Sequence, residues 1–293
     1  MFRPDLLKGK RILVTGGGSG LGKSMTERLL ELGAEVAICG RRRAVLEETA
    51  AERAGRTDGK ITTHQLDIRD ANSVEEMIDA IWADGPLDCL VNNAAGNFIS
   101  RTEDLSSRGF DAIANIVLHG TFYVTHACGR RWIAQGRPMD APASVLSIVV
   151  TWVFNGSAYV VPSAMAKSGV AAMTRSLAVE WGPKGIRLNA VAPGPFPTEG
   201  AGARLSPSGN MREKSQEAIP MRRVGEHSEL ANLAAFLLAD EVAYINGEVM
   251  AIDGGQWLNG AGNFGYLDAL TDEDWVQIRE RIQKTNAADR AKR

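Results

Sequence analysis

Short apolar runs alternate along this chain with longer stretches whose apolar positions recur three and four residues apart. The strand-like runs are Arg11–Thr15, Glu35–Cys39, Ile61–Leu66, Leu87–Val91, Ser144–Val150, Arg187–Val191 and Glu248–Ile252. A short run rich in Val and Ile reads as a strand, and the 3.6-residue period between runs reads as amphipathic helix. Alternation of this kind predicts crossover units and an α/β architecture, a doubly wound parallel sheet covered on both faces by helices. The early strands are almost continuously apolar, as strands buried on both faces should be. Such sheets bind ligands outside the carboxyl ends of their strands, near the point where strand order reverses, so the residues just after each run carry the candidate chemistry.

Three regions break the pattern. Residues 135–142 hold Gly136, Pro138 and Pro142 between a helix and a strand, which predicts a surface loop. Residues 193–210 contain four prolines and four glycines, a long irregular stretch of the kind used as a lid or binding loop. Beyond Gly255 a Gly/Asn-rich connection leads to Thr271-Asp-Glu-Asp274, a helix cap with an acidic first turn. The 293 residues fit one large domain with an appendage, expected as 1–255 with a substrate loop at 193–215, followed by a C-terminal extension at 256–293.

Charge narrows the partners. Thirty-three basic residues against 35 acidic ones leave a net charge of −2, so no global field attracts nucleic acid or an anionic membrane. Without a secretory leader pattern or an apolar run of membrane-spanning length, the chain is expected to be soluble and cytoplasmic. Cys39, Cys89 and Cys128 are odd in number and widely spaced, which disfavours disulfides and zinc and fits a reducing compartment. His119 and His126 could share a helix face but lack a third ligand, so no metal is expected. Asn155-Gly-Ser157 is formally a glycosylation sequon and reads as a turn.

The segment Thr15-Gly-Gly-Gly-Ser-Gly-Leu-Gly22 follows the first strand and opens a helix expected over residues 21–32. Glycines let backbone N–H groups approach phosphate, and the helix N-terminus adds partial positive charge. Gly17 with Gly22-Lys-Ser24 also matches the nucleoside-triphosphate loop letter for letter. That competitor needs a carboxylate at a neighbouring strand end to hold magnesium, and the fourth strand runs into Val91-Asn-Asn-Ala-Ala-Gly96 instead. Lys23 and Ser24 are therefore read as ordinary helix residues. A dinucleotide fold using NAD places Asp or Glu at the end of the second strand to hold the ribose 2′-hydroxyl. Here the strand ends Cys39-Gly-Arg41-Arg42-Arg43, and guanidinium groups suit a 2′-phosphate, so NADPH is the expected cofactor. Asp67, closing the third strand, could accept from the adenine amino group or cap the helix expected over residues 71–82.

Together the glycine loop, Asn92-Asn-Ala-Ala-Gly96, Pro193-Gly194 and Ala251-Ile-Asp-Gly-Gly255 resemble the short-chain dehydrogenase/reductase family over nearly the whole chain. More narrowly, residues 92–100, Ile116-Val-Leu-His-Gly-Thr121, Val160-Val-Pro-Ser-Ala-Met-Ala-Lys167 and Arg204-Leu-Ser-Pro-Ser-Gly209 look like the 2,4-dienoyl-CoA reductases, particularly the mitochondrial type. The resemblance implies a single-domain Rossmann fold and NADPH-dependent reduction of dienoyl-CoA to 3-enoyl-CoA in unsaturated fatty acid β-oxidation. It further implies a homo-oligomer, usually a tetramer. The cofactor residues it implies are Gly16, Ser19, Gly20, Leu21, Gly22, Arg41, Arg42, Asp67, Ile68, Asn93, Gly96, Lys167, Pro193, Gly194 and Phe196.

In most members of the wider family a tyrosine four residues before the lysine protonates a substrate carbonyl. This chain has Ser163 at that spacing and Val150 at the companion serine position. A serine hydroxyl is a far weaker acid than a phenol, so ketone reduction is disfavoured. The dienoyl-CoA reductases share the departure: negative charge moves to a thioester oxygen that needs hydrogen-bond donors. By resemblance Asn97 is one donor, Lys167 holds the nicotinamide ribose and supplies positive field, and Ser163 bonds nearby. The mitochondrial type carries a tyrosine at the position of Trp152, whose indole N–H donates but cannot act as an acid. Tyr159 is a candidate replacement hydroxyl or a structural aromatic, and the peroxisomal type has an aspartate where this chain has Val117. Arg69, Phe98, Ser106 and Arg204 are carried over as contacts of the CoA substrate. Two alternatives stay open: another enoyl- or 3-oxoacyl-thioester reductase, and an NADP-binding sensor with impaired catalysis. The stripe Val170, Met173, Leu177 and Trp181 is expected to be core or subunit contact.

Overall fold

The computed structural model describes residues 2–53, 59–198, 216–261 and 265–291. All seven expected strands form, as β1 (Arg11–Thr15), β2 (Glu35–Gly40), β3 (Ile61–Gln65), β4 (Cys89–Asn92), β5 (Ala143–Ile148), β6 (Ile186–Pro193) and β7 (Val249–Ile252). They make one parallel sheet in the order β3-β2-β1-β4-β5-β6-β7. The order reverses between β1 and β4, because the chain returns from the β3 edge to pair β4 with the free side of β1. Ligands of such sheets lie at that reversal.

Helices α1 (Gly20–Glu31), α2 (Arg43–Arg53), α3 (Ala71–Ala83), α4 (Ser107–Ala114), α5 (Thr121–Gln135), α6 (Trp152–Asn155), α7 (Val161–Trp181) and α8 (His227–Leu238) fill the connections. Strand alternation sends side chains to two buried layers. Ile12 and Val14 of β1 pack with Met25, Leu29, Leu230 and Leu237 of α1 and α8. Leu13 points the other way, into Ile78, Ile81, Val124, Trp132 and Trp181 of α3, α5 and α7. Trp132, fully buried, donates its indole N–H to the Leu87 carbonyl at 2.6 Å. Val170 and Trp181 are buried, while Met173 and Leu177 are half-buried against the same clusters, so the stripe on α7 is core.

Two elements differ from expectation. β3 alternates half-buried and exposed positions rather than being apolar throughout, because it is an edge strand with a neighbour on one side only. A six-residue π-helical segment, Asn115–Gly120, is inserted between α4 and α5. The three buried thiols, Cys39, Cys89 and Cys128, are all unbridged. Among the described residues no helix is long and apolar enough to cross a membrane. The chain divides into two compact units, Met1–Trp257 and Leu258–Arg293. The second carries a helix, Asp272–Ala291, whose first turn is capped by Thr271: its Oγ1 accepts from the Asp274 N–H at 3.3 Å.

Candidate functional site

At the β1/β4 reversal Thr15 ends the first strand and organises the second. Its hydroxyl accepts from the backbone N–H groups of Asn93 and Ala94, each at 3.0 Å, and the Asn93 side chain donates back to the Thr15 carbonyl at 3.0 Å. The glycine turn is thereby fixed against the segment after β4. Gly22 lies at the closest approach: a Cβ there would stand 2.2 Å from the Gly16 carbonyl oxygen and 2.5 Å from Asn93 Nδ2. Helix α1 then begins at Gly20 with no acidic residue in its first turn and no side-chain cap from Ser19. Its first N–H groups are left for a ligand, and the local field favours an anion.

The turn borders a cavity of about 600 Å³ that runs along the carboxyl ends of the strands. Gly16, Ser19, Gly20, Leu21, Arg41, Arg42, Asp67, Ile68, Asn93, Gly96, Asn97, Trp152, Ser163, Lys167, Pro193, Gly194 and Phe196 all line it. The structure thus brings together every expected cofactor residue except Gly22, which backs the turn, and all four expected catalytic positions. Arg42 reaches across the turn to donate to the Ser19 hydroxyl at 3.4 Å, and Gln65 of β3 donates to the Arg41 carbonyl at 3.1 Å. No acid stands at the end of β2.

The deep end of the cavity is set by α7. Ser163 and Lys167, four residues apart, project from one face of it, and both are buried. Lys167 Nζ donates to the Ile148 carbonyl at the end of β5, and burial pushes its ammonium down to about 8. Asn97 accepts from the Phe98 N–H at 2.9 Å through Oδ1, which orients the side chain and leaves both Nδ2 protons to donate. Trp152, half-buried at the start of α6, forms part of the wall, and no tyrosine lines the cavity among the described residues. Tyr159 is exposed, with a left-handed backbone (φ 65°), and its carbonyl accepts from the Ser100 N–H at 2.9 Å. It is therefore neither a replacement hydroxyl at the cavity nor a packed aromatic.

Other expected residues lie elsewhere. Asp67 does not cap α3; that role belongs to Asp70, whose side chain accepts from the N–H groups of Asn72 and Ser73. Asp67 is gripped by Arg69, with contacts of 2.5 to 3.0 Å, and the Arg69 hydrogen bonds hold its carboxyl below the usual carboxylate range. Arg69, Phe98 and Ser106 do not line the cavity. Phe98 packs on Ile113, Val117 and Ala166, and Ser106 caps α4 by accepting from the Gly109 N–H at 3.1 Å. Arg204 and most of the expected substrate loop lie outside the described residues. Lys23 points away from the turn to Glu52 of α2 at 2.6 Å, and Ser24 pairs with His227 at 2.8 Å, so neither lines the cavity. His119 and His126 sit beside Tyr123 and Phe122, and no cluster able to hold a metal occurs among the described residues.

Sequence reasoning missed several lining residues: Val149, Ile116 in the π-helical segment, and Thr198 after β6. Two carried a signal: Thr198, a hydroxyl in the irregular stretch after Pro193-Gly194, and Ile116, which opens the motif Ile116-Val-Leu-His-Gly-Thr121.

Comparison with known proteins agrees with this geometry. Residues 16–256 match the family model described as enoyl-(acyl carrier protein) reductase. The chain is 44% identical over 252 residues, 85% of its length and 97% of the relative's, to a Bacillus subtilis protein named probable 2,4-dienoyl-CoA reductase, (2E)-enoyl-CoA-producing. It is 42% identical, over 97% of this chain and 92% of the relative, to a Caenorhabditis elegans protein named probable 2,4-dienoyl-CoA reductase 3, (3E)-enoyl-CoA-producing. Among solved structures, the RhlG/NADP active-site complex of Pseudomonas aeruginosa superposes with a TM-score of 0.80 at 27% identity, covering 87% of this chain and 100% of that one.

Proposed function

The chain belongs to the short-chain dehydrogenase/reductase family, and from that premise we propose that it is an NADPH-dependent reductase of 2,4-dienoyl-CoA thioesters. It is an oxidoreductase. The observation that carries the substrate reading is the pairing of Asn97 and buried Lys167 on a cavity wall that, among the described residues, holds no phenolic acid. Such a wall suits negative charge delocalised onto a thioester oxygen better than protonation of an alkoxide.

The residues present fit a phosphorylated dinucleotide. The glycine turn and the uncapped start of α1 would hold the pyrophosphate, Arg41 and Arg42 the 2′-phosphate, Asp67 and Ile68 the adenine, and Lys167 the nicotinamide ribose. When bound, the reduced nicotinamide supplies a two-electron reductant. Reduction of a 2,4-dienoyl thioester at C5 leaves a dienolate whose charge is shared by C4, C2 and the thioester oxygen. Asn97 donates toward that oxygen, and the Lys167 ammonium lowers the energy of the charge through the local field. Ser163 adds a hydroxyl beside it, and Trp152 contributes either an indole donor or the wall that shapes the acyl site. With no phenol among the described residues of the wall, water delivers the proton, and protonation at C2, next to the thioester, gives the 3-enoyl product.

Arg69, Phe98, Ser106 and Arg204 are proposed for the CoA arm, with residues 193–215 as the substrate loop of a catalytic domain spanning 1–255. We also place the chain in the cytoplasm as a homotetramer; the exposed Phe122 and Met165 on α5 and α7 support self-association, which light scattering after gel filtration measures.

The test is NADPH consumption followed at 340 nm with a 2,4-dienoyl-CoA, with a 3-oxoacyl-CoA in parallel and the product resolved by chromatography. Turnover of the dienoyl substrate to the 3-enoyl thioester is expected. A 2-enoyl product would align the reaction with the name of the Bacillus subtilis relative, and turnover of the 3-oxo substrate alone would overturn the proposal.

A further inference from the structure

The end of β6 and the loop after it reach the cavity through Pro193, Gly194, Phe196 and Thr198, and the outer part of the loop is tied to a distant helix by a side chain. Gly194 N–H donates to the Ile252 carbonyl and Gly225 N–H to the Pro195 carbonyl, each at 3.0 Å, which fixes the inner part of the loop. Pro197 has no N–H, so its carbonyl is the one backbone hydrogen-bonding group it offers. That carbonyl lies 2.7 Å from His227 Nε2. A carbonyl only accepts, so Nε2 carries the proton, and Nδ1, 2.8 Å from the Ser24 hydroxyl, accepts from it when the imidazole is neutral. Ser24 sits in the first turns of α1, with Oγ 3.3 Å from the Gly20 carbonyl.

These contacts close a ring beside the cavity, which it meets at Gly20 and Thr198. Gly20 leads through Ser24 and His227 to Pro197, and Thr198 returns to Gly20, where a Cβ would stand 3.3 Å from Thr198 Cγ2. Phe196 stands between the main cavity and a second one of about 100 Å³ behind it, so the loop has room to recoil. His227 is not needed to start its own helix, because Glu229 accepts from the Glu226 N–H at 2.8 Å and is itself clamped by Arg223.

We propose that His227 is a positioning residue for the cofactor: it straps the loop after β6 to α1 and sets the spacing of Thr198 from Gly20 where the ring meets the cavity. The inference rests on the reading of that cavity as a dinucleotide site. Its working bond is the one to the Pro197 carbonyl, which makes amide replacements informative. Gln places an N–H near the position of Nε2, whereas Asn reaches only the position of Nδ1.

NADPH titration followed by cofactor fluorescence, without substrate, compares wild type with His227→Ala, His227→Gln and His227→Asn; KM and kcat are measured alongside. In the Ala and Asn variants Kd and KM for NADPH should rise about fivefold, the equivalent of one ordinary hydrogen bond, with kcat within about twofold. Gln should restore Kd to within about twofold of wild type. Equal impairment of the Gln and Asn variants, or wild-type affinity in both, overturns the strap, and that contrast stands even where the Ala variant folds poorly. A wild-type protein that fails to bind NADPH at all overturns the cofactor reading and the strap with it, an outcome distinct from tight binding that is indifferent to residue 227.

Discussion

Lys167→Met isolates the cost of keeping an ammonium where the reaction needs one. Lys167 is buried, donates to the Ile148 carbonyl, and has its pKa pushed from an ordinary 10.5 down to about 8 by burial. That depression corresponds to roughly 3 kcal/mol of native-state penalty for the charged form at pH 7. Methionine removes the charge at similar volume and leaves the Ile148 carbonyl without its donor, a loss of about 1 kcal/mol. The variant is therefore expected to be about 2 kcal/mol more stable at pH 7, with Tm roughly 4–8 °C higher, while cofactor affinity and turnover fall. The pH dependence carries the sharper test. Between about pH 8 and 10.5 the unfolded lysine holds a proton that the native one has lost, so wild-type stability gains up to about 1.4 kcal/mol per pH unit from this group. The buried thiols act in the opposite sense. Burial pushes Cys39 and Cys89 up to about 12 and Cys128 higher still, so their contribution is complete below the unfolded thiol pKa and is lost as pH rises toward the folded value. Urea denaturation of both proteins from pH 6 to 10 cancels the thiols in the difference. Parallel curves, or a Met variant less stable at pH 7, would refute the assignment of a costly buried charge to Lys167.

Arg41→Ala combined with Arg42→Ala should raise KM for NADPH by about tenfold or more while leaving KM for NADH nearly unchanged; an unaltered ratio would show that another group reads the 2′-phosphate. Trp152→Phe separates wall from donor: kcat within a few-fold of wild type identifies a wall, whereas a fall of about a hundredfold identifies a lost hydrogen bond to the developing charge. Gly22→Ala puts a methyl group 2.2 Å from the Gly16 carbonyl, so it should destabilise the fold by about 2 kcal/mol or more and weaken cofactor binding, read from denaturation and NADPH titration together. A chromogenic disulfide reagent should find almost no reactive thiol in the native protein and all three cysteines in denaturant, since each is buried and unbridged.

Much of this protein was legible in the sequence because the relevant signals are local. The seven runs, the glycines between β1 and α1, and the arginines where a carboxylate would stand each occupy a few adjacent residues. Their meaning depends on backbone geometry and charge over one turn of chain. Ser163 and Lys167 could be placed on one helix face from their spacing alone. The tertiary structure decided the rest, since burial and partnership depend on chain segments far apart in sequence. It put β3 at the edge, where one-sided pairing explains its mixed pattern, and gave the cap of α3 to Asp70, leaving Asp67 to the cavity. It buried Lys167 beneath the end of β5, which is what depresses its pKa, and it joined Ser24 to His227 across 203 residues. No periodicity records that last contact, because it exists only once the sheet has brought α1 and α8 side by side.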